Sequence, residues 1–320
     1  MTKLNKVFDI QTPSTKVLAV AIKPDGRLCA AGDREGVTHI IDMETGEIVR
    51  RLKQHVEFVY ALAFEPLFQH VITTGKDKSL REWDVETGGF IKDYSGIFAS
   101  ASPHSIVAQN FKQNTKSHTK TVLSVACAAE GERRLMVTSG QDGLVKYWVN
   151  GEPLRSFSWH EGPVSCVRFQ PDTNVPFSAS KDRTIRSWNV ANGAMIHKYQ
   201  GHYDEVVGFD FIDDGHFISA DASGTVRVWD VEQEQGLGDL FYAPGQIRCM
   251  AVDRAHDLLL LGLNDGRLIG VDTTYDKKPE PKSAAFTLED HALAIRCIHV
   301  VDNKIASCDE SGKVKIWNVE

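Results

Sequence analysis

The chain has 320 residues, of which 42% are hydrophobic and 25% charged, and carries a formal net charge of −7. This is an ordinary globular make-up with ample core material, and the negative balance argues against non-specific nucleic-acid binding, so no direct DNA contact is expected. No apolar run approaches the ~18 residues needed to span a bilayer, and the opening MTKLNKVFDI lacks the apolar stretch of a secretory signal.

Six cysteines without a CxxC pair suggest neither a metal site nor a disulfide framework. The expected setting is a reducing cytoplasmic compartment, or the nucleus, with no export and no membrane.

Taken in chain order, the first predicted element is a short β-strand around Val7 and Ile10. The next is an apolar β-type run that opens at Val17. Similar runs open at Val59, Val122, Val164, Val206, Ile247 and Ile295, with separations of 42, 63, 42, 42, 41 and 48 residues. A period near 42 predicts four-stranded blades arranged in a ring. Two positions after each opening residue stands a small side chain: Ala19, Ala61, Ser124, Cys166, Gly208, Cys249 and Cys297. The third and fifth positions are apolar throughout, which is the alternation of a strand packed between neighbours. The three cysteines of the small column read as packing atoms.

Outer strands are marked by apolar pairs ten and seven residues before the next opening. These are Val49 and Leu52, Leu154 and Phe157, Ile196 and Tyr199, Leu237 and Leu240, Ala285 and Leu288. The chain stops at IWNVE, where the last blade still needs an outer strand, and Val7 to Ile10 stand at the right distance from Val17 to supply it. The expected fold is therefore all-β: one seven-bladed β-propeller of four-stranded antiparallel blades over residues 1–320, closed by the N-terminal strand. Closure removes the open edges that invite aggregation.

The phrases LREWDV, VKYWVN, IRSWNV, VRVWDV and VKIWNV, each preceded by a His and a Ser or Thr, and the first three also by an Asp six residues before the Trp, resemble the WD40 repeat family. The resemblance covers nearly the whole chain. It implies hydrogen-bonded sets His55, Thr73, Asp77 and Trp83; His118, Thr138, Asp142 and Trp148; and His160, Ser178, Asp182 and Trp188. A His–Asp–Ser grouping also suits a hydrolytic triad, but recurrence in register favours a structural role, since an enzyme needs one such site. Repeats five and seven keep His202, Ser219, Trp229 and His291, Ser307, Trp317, yet Ser223 and Ser311 stand at the Asp position. That predicts sets lacking their carboxylate. Repeats one and six have Ile41 and Val271 for Trp and lack the His. No W-D-x is followed by Arg, which lowers a ubiquitin-ligase receptor role.

Carrying the family's rim positions onto this chain gives candidate contact residues Arg34, Phe58, Tyr60, Lys76, Lys181, Arg248 and Arg296. Lys16 adds a further cation, and Glu205 and Glu310 are the acids at the same positions. A basic and aromatic rim on an acidic chain suggests a protein partner with an acidic or phosphorylated segment. RNA association through the same rim stays open, to be separated by salt dependence. Solvated loop charges are the plainer alternative.

An insertion at about 95–119, between blades two and three, carries Ile97, Phe98, Ile106, Val107 and Phe111 on the same rim. It either folds over the rim, fastens a partner, or is disordered with only local packing. The Lys/Pro/Glu-rich loop at about 273–284 in blade six reads as solvated and mobile, and Trp159 is expected to pack on an adjacent blade, with an exposed contact role as the alternative. His39, His70, His197, His216 and His256 form no ligand spacing, and no Gly-rich phosphate loop exists. The functional expectation is a non-catalytic scaffold or adaptor: no catalytic residue, metal or cofactor, a monomer by itself, and a subunit of a larger assembly. An enzyme using the central channel is the remote alternative.

Overall fold

The computed structural model describes residues 3–94, 117–275 and 278–320. Seven four-stranded antiparallel sheets follow one another along the chain. Their inner strands are Val17–Ile22, Val59–Phe64, Val122–Glu130, Val164–Phe169, Val206–Phe211, Ile247–Asp253 and Ile295–Val301. Each begins at the residue the periodicity selected. The seventh sheet is completed by the first strand, Leu4–Gln11, which pairs antiparallel with the last, Lys313–Val319.

Both faces of every blade are buried because each blade lies between two others. On one face of blade 1, Val17, Val20 and Ile22 pack with Ala306, Cys308 and Val314 of blade 7. On its other face, Ala19, Ala21 and Ile40 pack with Val59, Leu62 and Phe64 of blade 2. The blade 4–5 seam is aromatic, built from Phe177, Tyr199, Phe209, Phe211, Phe217 and Trp229. Removing such area from water, at about 25 cal/mol per Å², is what holds the ring together.

Two recurrent bulges decide which side chains leave the core. In all seven blades the inner–second pairing skips one residue after the opening position. The skipped residues include Tyr60, Arg248 and Arg296, which are thereby directed to one rim. The third–outer pairing skips Val49, Ile91 and Leu154, and the closing strand skips Val7. Those residues mark the outer strands as expected, but the bulge turns them to solvent while Leu52, Phe157 and Tyr199 go inward.

The closing strand is also held by charge. Lys315, buried, reaches Asp290 at 2.7 Å and Asp9 at 3.3 Å, and Lys6 reaches Asp290 at 2.9 Å. The blade 2–3 seam holds another network, in which the Arg134 guanidinium meets Glu82 at 2.9 Å. His70 bonds the same carboxylate, as does Tyr94. Burial pushes Glu82 up, but the bonds from Arg134, Tyr94 and His70 outweigh it and hold the carboxyl below its ordinary range. The insertion expected at about 95–119 follows Tyr94 in the chain, and residues 95–116 of it lie outside the described residues.

The loop near 273–284 is exposed at most of its described residues, as its composition suggests, yet it is fastened at several points. Tyr275 packs against the blade 5–6 core, and the Lys282 amide donates to the Leu240 carbonyl at 2.7 Å. The loop thus lies along the outer strand of blade 5, where the absent Cβ of Gly238 leaves room for Pro279.

Candidate functional site

The His–Ser/Thr–Asp–Trp sets form as expected in blades 2, 3 and 4. In blade 2, His55 Nδ1 donates to Asp77 at 3.0 Å, the Thr73 hydroxyl donates to His55 Nε2 at 2.7 Å, and the Trp83 indole N–H donates to that hydroxyl oxygen at 2.9 Å. His118 makes the same links to Asp142 and Thr138 at 3.0 Å each, with Trp148 at 3.0 Å from the hydroxyl. His160 sits 2.7 Å from Asp182 and 2.8 Å from Ser178, which accepts from Trp188 at 2.9 Å. The Thr and Ser hydroxyls are fully buried and accept an indole proton. A hydroxyl so engaged is a structural link, not a nucleophile open to substrate.

Blades 5 and 7 correct the sequence expectation. Ser223 and Ser311 do stand in the Asp column, yet neither set lacks its carboxylate. Asp221 and Asp309, two residues upstream at the end of the second strand, accept from His202 at 2.9 Å and His291 at 2.8 Å. Ser223 and Ser311 then donate to those aspartates at 2.6 Å each. The two arrangements exclude each other sterically. In blade 2 the upstream position is Gly75, where a Cβ would meet His55 Nδ1 and Asp77 Oδ1 at 3.0 Å. In the five complete sets an aspartate at one position goes with Gly or Ser at the other. Blade 1 has a partial version, in which buried His39 bonds Asp33 at 2.8 Å.

These carboxylates are strongly acidic. Burial pushes Asp142, Asp221 and Asp309 up, but hydrogen bonds from His118, His202 and His291, joined by backbone amides, hold each down to about 2. Burial pushes the His160 imidazole down, despite Asp182.

The rim candidates divide into two groups and an outlier. Phe58 lies 6.0 Å from Tyr60, with the Arg34 guanidinium 5.5 Å and the Lys76 ammonium 5.0 Å from its ring centre. Lys76 also meets Glu57 at 3.0 Å. Arg248 and Arg296 form the second group, on the bulges of adjacent blades 6 and 7. Glu310 lies 3.5 Å from Arg296 and 2.8 Å from Lys16. Lys181 stands apart on blade 4, paired with Glu205. Arg34 and Arg248 have no carboxylate within ion-pair distance among the described residues, so the rim's surplus positive charge is concentrated at those two points.

On this rim Trp159 takes the exposed alternative, and Tyr203, Tyr242 and Val56 are exposed residues that the sequence reading missed. Trp159 is 58% exposed rather than packed on a neighbour, because the preceding strand ends at Phe157 and the Arg186 guanidinium ties the Trp159 carbonyl in the loop. Tyr203 is 74% exposed, with the Arg227 guanidinium 5.7 Å over its ring, and Tyr242 bonds Asp239, which pairs with Arg227 at 2.6 Å. Val56 and Tyr203 each follow the His of a set. That position is the signal that identifies them. Among the described residues no group of three or more His, Cys, Asp or Glu side chains is placed to hold a metal ion, and no helix is long and apolar enough to cross a membrane.

Comparison with known proteins agrees with this geometry. The family described as WD domain, G-beta repeat matches residues 109–149, 151–189, 193–230 and 283–318. The anaphase-promoting complex subunit 4 WD40 domain family matches residues 2–67. The chain belongs to the WD-repeat β-propeller superfamily.

Among its relatives is the transcriptional corepressor LEUNIG_HOMOLOG of Arabidopsis thaliana, 21% identical over 98% of this chain and 36% of the relative. The telomerase protein component 1 of Mus musculus is 27% identical over 80% of this chain and 9% of the relative. A guanine nucleotide-binding protein subunit beta of Arabidopsis thaliana is 26% identical over 82% of this chain and 71% of the relative. The chain thus spans about a third of the first relative and a tenth of the second. WD-repeat proteins act generally as interaction scaffolds within complexes, and the family is generally non-enzymatic.

Proposed function

We propose that this chain is a non-catalytic adaptor that holds an acidic or phosphorylated segment of a protein partner on the bulged rim, at Arg34, Phe58, Tyr60 and Lys76. The observation that carries this reading is Phe58 with two cations over its ring. A cation held by an aromatic face keeps its N–H donors available for an anion. The ring itself supplies the rigid apolar contact that dominates binding energy at interfaces. Arg248, Arg296 and Lys181 extend the basic surface, and Tyr203 and Trp159 offer apolar anchors further out. Cytoplasmic or nuclear assemblies with such a segment are the fitting context.

The test is affinity purification of the tagged chain beside two variants, Phe58→Ala and a charge reversal of Lys76, Lys181 and Arg296 to Glu. Both variants should lose the same partner, with binding weakened about tenfold or more for loss of a central aromatic. A charge-reversed chain that keeps every partner removes the proposal. Binding that falls with salt at a slope of several released counterions would point to RNA instead.

A further inference from the structure

The inner strand of each blade is an edge strand facing the axis, so alternate backbone groups along it have no strand partner. Side chains from the preceding blade bond several of them. The Val167 amide donates to Ser124 Oγ at 3.3 Å, the Cys297 thiol to the Val20 carbonyl at 3.5 Å, the Ile22 amide to His299 Nδ1 at 3.3 Å, and the Val252 amide to Asp210 Oδ2 at 3.3 Å. These bonds place Asp210 and His299 on the channel wall.

Both belong to one ring of positions, four residues after each opening. Four blades have Ala there, and the other three have Arg168, Asp210 and His299. Arg168 donates Nη1 to the Val167 carbonyl at 3.0 Å and has no carboxylate within ion-pair distance among the described residues. Blades 4 and 7 stand on opposite sides of the ring, so Arg168 faces His299 across the channel. Burial, then the Arg168 charge, pushes the His299 imidazole down to about 4. Its Nδ1 accepts from Ile22, so the proton is on Nε2.

Arg248 and Arg296 stand above, at the rim end. Arg296 Nε is buried without a hydrogen-bond acceptor, and Arg248 has no ion-pair partner among the described residues. Burial, then the neighbouring Arg296 charge, pushes the Arg248 guanidinium below its ordinary value. Three guanidinium groups thus border one channel segment, with Asp210 and Glu310 as the nearby acids. Of the three, only Arg296 has a carboxylate within ion-pair distance among the described residues, and its Nε has no acceptor; guanidinium groups short of anionic partners suit a multivalent oxyanion.

We propose that the axial channel binds a phosphate-bearing anion, entering between Arg248 and Arg296 and held at depth by Arg168 and the His299 Nε2–H group. This goes beyond the rim reading, since Arg168 and His299 lie outside the rim and Phe58 and Lys76 lie outside the channel. The phosphate belongs either to a free small molecule or to a phosphorylated side chain that dips into the opening.

Titration calorimetry on the full chain with inorganic tripolyphosphate, and separately with a phosphoserine peptide, tests the site. One saturable event per chain is expected, with Kd below about 1 mM. Arg168→Gln and Arg248→Gln should each weaken it about tenfold or more, and Arg168→Lys should fall between. Phe58→Ala should leave the tripolyphosphate event unchanged while weakening a segment held on the rim, which separates failure here from failure of the rim reading. Melting curves without ligand identify any variant that fails to fold, and Arg248→Gln, at an exposed position, keeps the test intact. Binding of either probe that depends on Arg168 and Arg248 supports the site, and the probe that binds identifies the source of the phosphate. Absence of saturable binding by both probes, or binding indifferent to both substitutions, overturns it.

Discussion

At the scale of single residues, the recurring polar set has two spellings that satisfy one geometry. Gly75 with Asp77 and Asp221 with Ser223 both deliver a carboxylate to a histidine Nδ1. Asp221→Ala should cost about 2–3 kcal/mol, since it leaves buried His202 without its acceptor, whereas Ser223→Ala should cost about 1 kcal/mol or less. Chemical denaturation of the two variants checks the difference. The exchange Gly75→Asp alone should destabilise, and the double change with Asp77→Ser should recover most of the loss in a double-mutant cycle.

The histidines also set a pH dependence. His160 and His299 have folded values below the ordinary ~6.5, so the unfolded chain binds protons first as pH falls. Stability should therefore decline from about pH 6.5 downward, for His299 until about pH 4. The His299 contribution is at most about 3 kcal/mol. The aspartates act in a different window. Their depressed values favour folding above ~4, and that contribution disappears as pH drops toward 2. Urea midpoints at pH 7.5, 6 and 5 should fall in that order, and His299→Gln should flatten the trend.

At the scale of elements, seams and closure differ in kind. Most seams are apolar, but blades 2 and 3 are joined through Arg134, Glu82, His70 and Tyr94. Arg134→Met leaves the buried Glu82 charge without its cation and should cost about 3–5 kcal/mol, whereas a joint Arg134→Met and Glu82→Gln change should cost less. Calorimetric melting of both variants decides it. Closure combines the apolar packing of blade 1 on blade 7 with the completion of the last sheet by Leu4–Gln11. Deleting residues 1–11 exposes the edge of Lys313–Val319 and should give self-association visible by size-exclusion chromatography.

The sequence indicated the first residue of every inner strand, because apolar alternation and the small-residue column reflect each strand's own two faces. It missed the solvent-facing turn of Val49, Ile91 and Leu154. A bulge inverts the face without changing the residue type, so no apolar pattern reports it.

At the scale of the whole molecule, the ring gathers on one rim and one axis residues that are far apart in the chain. Arg34, Phe58 and Lys76 meet because the turns of blades 1 and 2 are neighbours there, and the sequence placed all three on the rim. What it did not reveal is their charge pairing. Lys76, Lys181 and Arg296 find carboxylates in Glu57, Glu205 and Glu310, while Arg34 and Arg248 do not. Arg168, Asp210 and His299 likewise stood as unremarked members of a column until three blades brought them to one channel.

The amino-acid sequence by itself determined seven repeats, their strands, the polar sets of blades 2 to 4 and the closing role of the first strand. Each of these depends on spacing within one repeat or on the register between successive repeats. Only the tertiary structure decided which charges are compensated and which side chains meet across the axis. Those distances are set by curvature and closure of the ring, and Coulomb energies depend on such distances rather than on separation along the chain.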